Sequence, residues 1–366
     1  MGVRIEDLQL AWPRDVFVAE LLATTVAVHV GLDDEVARWA SDETTRWLFE
    51  EAFYADSGVR WFDAARSAHA LDRLVMAIIE DPSQVPLYVP PVLFRDRKGG
   101  VGGLRQRPKL SGEGFVEALG GLIAELEDAG YFDFAFGDSC GDSENDHPGR
   151  GEAALSDLLG SPESWPPLLS DLDLDHAYTV LEALHYVVAR PRNRWWHDFY
   201  SEWHYGDFDR PAGQAVYRWR VNELLDRSDA RLRLDVDGLL VETTGDPRDE
   251  LLDALARDPD APAPDALQHA IEQFRRRGAS RVEKRAAVVS LAGILEEHRS
   301  LLKDEMLSGD EGALFEIANR YSIRHQRADQ RPDYDDAYLD WIFWWYLATV
   351  DLVKQLLARG PEKPEE

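Results

Sequence analysis

The run Trp341-Ile342-Phe343-Trp344-Trp345-Tyr346-Leu347 constrains this chain more than any other feature. It lies in a segment, Tyr334 to Leu357, that reads as one long helix whose apolar side chains go nearly all the way round the axis. Such a helix is buried on more than one side, so other elements must pack around it. The most apolar stretch ends at Asp351, far short of the roughly 20 apolar residues that a bilayer crossing requires. The expectation is a helical bundle and no membrane span.

The residues before it supply partners. Ser280 followed by Glu283 is a capping box, in which each side chain satisfies a backbone N–H of the first turn, and it predicts a helix from Val282 to about Met306 with Ala287, Leu291, Ile294, His298 and Leu301 on one stripe. Ser308-Gly309-Asp310 interrupts it. Asp310-Glu311 then suits the positive end of a further helix that carries Leu314, Phe315 and Ala318 up to Arg320. Earlier in the chain, helical spacing predicts helices at 14–30, 60–80, 111–130, 174–190 and 212–228. The prolines and glycines of 81–111 read as a linker or long loop. The acidic stretch 137–166, without an apolar face, reads as a solvated loop, and Asp138, Asp142, Glu144 and Asp146 lack calcium-hand spacing.

One strand pair is legible. Arg231-Leu232-Arg233-Leu234-Asp235-Val236 alternates, Asp237-Gly238 turns, and Leu239-Leu240-Val241-Glu242-Thr243 returns. A Pro- and Asp-rich connection, 258–265, reads as a domain boundary. The expected architecture is mostly α: a multi-domain helical protein with an N-terminal helical region (1–80), the linker 81–111, a middle helical region (112–257) with its single hairpin at 231–243, a C-terminal helical bundle (265–358) and a disordered tail (359–366).

Composition narrows the setting. The single cysteine, Cys140, excludes an intramolecular disulfide and a cysteine-rich zinc site, and the acidic N-terminus lacks a secretory pattern, so a cytoplasmic location is expected. The net charge of −29 works against long-range attraction of a polyanion. Around 271–330, however, basic and acidic residues nearly balance.

The chemistry-bearing motif lies in that neutral stretch, Ala318-Asn319-Arg320-Tyr321-Ser322-Ile323-Arg324-His325. An imidazole can take a proton from a ribose hydroxyl and return one to a leaving oxygen, while a guanidinium holds the phosphate. Arg320 and His325 are the candidate catalytic pair; Asn319, Arg324 and Gln326 are candidate substrate-binding residues. No metal or cofactor is called for. On a continuous helix residues five apart point about 140° from each other, so the pair converges only if the helix ends or kinks, or if two protomers share a groove. The structural alternative is that these residues cap a helix end.

A second constellation is Arg190-Pro191-Arg192-Asn193-Arg194-Trp195-Trp196-His197-Asp198-Phe199-Tyr200 with Trp203-His204-Tyr205. It suits either a single-stranded nucleic-acid platform or a packed aromatic corner whose arginines lie on tryptophans. Asp198, Glu202, Asp207 and Asp209 interleave and cancel its charge, which favours the corner. A metal site at His197, Asp198 and His204 ranks well below both. Phosphate-loop, dinucleotide, zinc-protease and serine-hydrolase signatures are missing.

The segment Ala318–His325, between a long helix and the aromatic final helix, resembles the Arg-x4-6-His motif of HEPN domains. Asp207-Phe208-Asp209-Arg210-Pro211-Ala212-Gly213-Gln214, Tyr217–Leu225 and the hairpin through Asp237-Gly238 are similar to the segment that precedes the C-terminal helical domain of AbiJ-like abortive-infection proteins. The resemblance implies a bacterial anti-phage or stress setting and a homodimer through a HEPN-like C-terminal bundle. It also implies metal-independent RNA cleavage by Arg320 and His325. Many HEPN-like domains are instead non-catalytic scaffolds or partners of other proteins, which is the alternative expectation here.

Overall fold

Aromatic side chains on successive helical turns draw the first helices together. In the computed structural model Phe17 of helix α1 (Arg14–Val26) meets Phe49 of α2 (Asp34–Ala52) edge-on at 5.6 Å, and Phe49 in turn stacks on Trp61 of α3 (Ser57–Ser67) at 5.3 Å. The structure describes residues 3–26, 34–89, 109–137, 150–162, 164–167, 174–198, 201–246, 248–256, 258–320 and 335–359. Over these it is mostly helical, with two separate two-stranded sheets. None of its helices is long and apolar enough to cross a membrane.

The chain divides into two units, Met1–Ala230 with Leu234–Leu239, and Arg231–Arg233 with Leu240–Glu366. The expected separation of 1–80 from 112–257 does not hold, because residues from both stretches share one buried interior, where Trp47 of α2 stacks on Tyr205 at 6.0 Å. The expected boundary at 258–265 falls inside the second unit: Leu252, Leu255, Ala261 and Leu267 belong to one core.

In the first unit, the expected helix 60–80 is two helices, α3 and α4 (Leu71–Glu80), separated where His69 takes a φ of 53°. Of the expected linker, Pro82–Gln84 form a 3-10 turn capped by Asp81, and Leu87 pairs with Leu10; 90–108 lies outside the described residues. Helix α5 (Gly112–Asp128) begins where Ser111 Oγ accepts from Gly114 N at 3.2 Å. Short α6 (Asp133–Phe136) follows.

The supposed solvated loop 137–166 contains α7 (Gly151–Leu159), which buries Leu155, and Trp165, which stacks on Phe136 at 3.9 Å and donates to Glu127 at 2.7 Å. Leu155 is the one leucine that this helix buries; Leu158 stays exposed. Cys140 and the carboxylates 138, 142, 144 and 146 lie outside the described residues.

After α8 (Leu174–Val187) comes an unexpected hairpin. Strands β1 (Arg190–His197) and β2 (Glu202–Asp209) pair antiparallel with Arg190 opposite Asp209, Arg194 opposite Tyr205 and Trp196 opposite Trp203. Helix α9 (Arg210–Leu225) then starts at Asp209, whose carboxylate accepts from Ala212 N at 2.7 Å. Gly213 lets α9 lie directly on β1: a Cβ there would stand 2.5 Å from the backbone nitrogen of Arg190.

The hairpin read from the sequence is present as β3 (Leu232–Leu234) and β4 (Leu240–Glu242). It carries the chain from the first unit into the second, an array of α10 (Arg248–Ala256), α11 (Pro264–Arg275), α12 (Arg281–Glu297), α13 (Arg299–Glu305), α14 (Ser308–Arg320) and α15 (Asp336–Arg359). The Ser280/Glu283 capping box is formed in full at the start of α12. The predicted helix 282–306 divides at His298 into α12 and α13, and Leu302 rather than Leu301 is fully buried.

Helix α15 buries Leu339, Ile342, Phe343, Tyr346, Leu347, Val350 and Val353 on one broad face, with Phe343 flat on Phe274 of α11 at 3.7 Å. Burial all round is not what the structure has. Trp341 is 48% and Tyr338 46% exposed on the other side, where Trp341 and Trp345 lean on each other at 5.5 Å.

Candidate functional site

Helix α14 delivers Asn319 and Arg320 as its last two residues. Their side chains, and all of Arg324, His325 and Gln326, lie outside the described residues, and with them the meeting of the candidate catalytic pair. What it does define is the frame. Leu314 and Phe315 are buried in the second core; the Tyr346 hydroxyl of α15 donates to the Leu314 carbonyl at 3.1 Å; Arg299 lies over the Phe315 ring at 4.3 Å and pairs with Glu311 at 2.9 Å. The body of α14 is thereby fixed against α15 by packing and one buried hydrogen bond.

The outward side of α15 carries a second feature. Tyr338, Trp341, Trp345, Ala348 and Leu352 follow one another at intervals of three and four residues, which is the spacing of a helix-to-helix seam. Ala348 is exposed, and Trp345 and Leu352 are half-buried. This face is apolar in a position that a lone helix edge has no reason to keep apolar.

In the first unit, strand β1 presents Arg190, Arg192 and Arg194 on one face, since alternate residues of a strand share a side. Each meets carboxylates. Arg190, fully buried, binds Glu20 of α1 at 2.8 Å and Glu51 of α2 at 2.5 Å; Arg192 binds Glu20 and Asp209, both at 2.8 Å; Arg194 binds Glu50 at 2.6 Å. Rings enclose them: the Arg190 guanidinium lies 5.4 Å from the Trp12 centroid, and Arg194 lies between Trp47 at 4.8 Å and Trp203 at 4.9 Å. Burial works against the charge on Arg190, but Glu51, Tyr131 and Glu20 outweigh it and hold its pKa above the usual value.

This is the aromatic corner rather than a nucleic-acid platform, because the guanidinium groups are spent on carboxylates and Arg190 has no access to solvent. Of the acids expected to cancel the charge, Asp209 does so. Glu20, Glu50 and Glu51 are partners that the sequence reading does not include; the available signal is Glu20, the one charged residue within the apolar run 16–23.

The opposite face of the hairpin holds His197 and His204, rings stacked at 4.7 Å, with His204 Nε2 3.3 Å from Glu202. Nearby Asp133 has its pKa raised to about 6, first by burial and then by the like charges of Glu127 and Glu202. Among the described residues no group of three or more His, Cys, Asp or Glu side chains is placed to hold a metal ion. Comparison with known families, curated proteins and solved structures finds no match for this chain.

Proposed function

We propose that this chain is a helical interaction protein that self-associates through the outward face of α15, in a bacterial defence or stress setting. The observation that carries the proposal is the outward seam in which Tyr338, Trp341 and Ala348 are exposed and Trp345 and Leu352 half-buried. It is self-complementary. Antiparallel pairing about Trp345 brings the two Trp345 rings together at the two-fold axis and sets Trp341 of one copy against Ala348 of the other and Tyr338 against Leu352, so the same patch meets itself as a two-fold interface requires. The defence setting rests on the resemblance of 207–225 and 318–325 to AbiJ-like and HEPN sequences.

The test is sedimentation of the full chain. The wild type is expected to be dimeric at micromolar concentration, and Trp341→Glu to weaken dimerisation roughly thirtyfold by removing an aromatic anchor, with helical circular dichroism unchanged. A wild type that stays monomeric across the concentration range defeats the proposal.

A second reading, metal-independent RNA cleavage with Arg320 steadying the phosphate and His325 as general acid and base, is favoured by one observation. Arg320 is the last residue of the helix that Tyr346 ties to α15, so it is carried by an element packed on the same helix that bears the proposed interface. Incubation of RNA with the purified chain in EDTA is expected to give cyclic-phosphate ends, lost in His325→Ala. Cleavage that survives this substitution rejects the mechanism.

A further inference from the structure

The turn Asp235–Leu239 of the β3–β4 hairpin is fixed at its ends and by one residue in between. Leu234 donates to Asn222 Oδ1 of α9 at 2.8 Å and accepts from Asn222 Nδ2 at 3.0 Å, and the side chains of Leu234 and Leu240 are buried. Val236 and Leu239 are 44% and 47% exposed, so it is the buried Gly238 that seats the turn. Gly238 lies against the ring of His185 on α8, where a Cβ would stand 2.2 Å from Nδ1. Arg218 of α9 stands 3.4 Å from Nε2 of the same ring, and a guanidinium can only donate, so Nε2 accepts and the ring's proton sits on Nδ1. Nδ1–H is then a donor sealed under the turn with no acceptor among the described residues. An unmade buried bond counts against the closed turn, and opening the turn gives that donor water. We propose that Asp235–Leu239 is a latch over His185, closed on the neutral ring and opened when the ring takes a second proton.

The groups around the ring make opening the response to that proton. From α9 come Arg218 and Tyr217, whose hydroxyl donates to the Leu181 carbonyl at 2.9 Å. On α8 itself Glu182 stands one turn before the ring, and the turn brings Asp235 and Asp237. Asp235 Oδ1 accepts from the backbone N–H groups of Asp237 and Leu239, and Asp237 is exposed. None of these carboxylates supports a charge on the closed ring: burial first, and then Arg218, lower its pKa to about 4. Helices α5 and α7, also packed on α8, bring no charge that acts on it. A doubly protonated ring under the closed turn is therefore a cation beside a cation, away from water. With the turn open the segment is locally unfolded, and the ring titrates as it does in the unfolded chain.

The latch is independent of the α15 face, so it stands or falls separately from self-association. Amide hydrogen exchange of the full chain, read as protection factors across a pH series, tests it. The reporters are the Asp235 N–H, which donates to the Leu239 carbonyl at 2.9 Å, and the Gly238 N–H, which donates to the Asp235 carbonyl at 3.3 Å. The reference is the N–H of Val221, buried inside α9, which exchanges only when the fold opens as a whole. The turn amides are expected to be at least about tenfold less protected than Val221 at neutral pH, since they open without the rest. Their protection should fall by about tenfold per pH unit from 6.5 towards about 4, because the open form binds one proton that the closed form lacks. His185→Gln and His185→Phe have no proton to gain, and both should flatten this profile. Asp235→Asn keeps an acceptor in the turn without a titrating carboxylate, and should retain the wild-type slope. Turn amides as well protected as Val221 overturn the latch, as does a flat wild-type profile. A slope that survives in both His185 variants, or that vanishes in Asp235→Asn, overturns it as well.

Discussion

Arg190 is a full positive charge with no contact with water, held by Glu20, Glu51 and the rings of Trp12 and Trp47. Moving such a charge out of water costs several kcal/mol, and its carboxylates repay that cost only while each is present. Glu20 serves two arginines at once, accepting from Arg190 at Oε2 and from Arg192 at both oxygens. Glu20→Ala therefore leaves the buried Arg190 cation with Glu51 as its one carboxylate and is expected to lower unfolding stability by about 3 kcal/mol. Arg192 keeps Asp209, so the loss falls mainly on Arg190. Urea unfolding of the two proteins measures it. A change of under about 1 kcal/mol, the range of exposed pairs, would mean that water reaches the cluster.

Among the elements, α8 shows how a buried helix can make stability depend on pH. His185 on α8 is 2% exposed, its Nδ1 faces Gly238 with no hydrogen-bond partner among the described residues, and its Nε2 lies 3.4 Å from Arg218 of α9. Burial, then the charge of Arg218, lower its pKa from 6.5 to about 4. The folded imidazole therefore stays neutral while the unfolded one titrates normally. Above pH 6.5 neither form takes a proton and the fold keeps its full stability. As pH falls from 6.5 through about 4 only the unfolded chain gains the proton, and about 2–3 kcal/mol is lost. Urea midpoints at several pH values should show this slope flattened in His185→Gln; a wild-type-to-variant difference that does not vary with pH would exclude it.

The elements also show what a sequence makes legible. The capping box at Ser280 and the Asp237-Gly238 turn are local devices, complete within a few residues, and both were read correctly. The β1–β2 hairpin was not, because its alternation is written in charge: Arg190, Arg192 and Arg194 share a face, but the glutamates that make that face an interior one lie 139 to 172 residues away along the chain. Helix α15 was legible as a helix. Its exposed seam was not, since Trp341 and Trp345 have the same hydropathy whether they face a core or water. Whether Arg320 meets His325 depends on residues outside those described.

At the scale of the whole molecule the proposed self-association is tested by its response to salt. A chain of charge −29 repels its own copy, and that repulsion reaches further as salt is removed, because the Debye length grows from about 8 Å at physiological ionic strength to about 30 Å at 0.01 M. The α15 seam is aromatic and aliphatic, so salt screens the repulsion between copies without weakening the contact itself. Self-association is therefore expected to strengthen as sodium chloride is raised. Sedimentation of one preparation across a salt series measures the sign of this dependence. If self-association weakens with salt, the interface is built from ion pairs, and the seam on α15 is not what joins the copies.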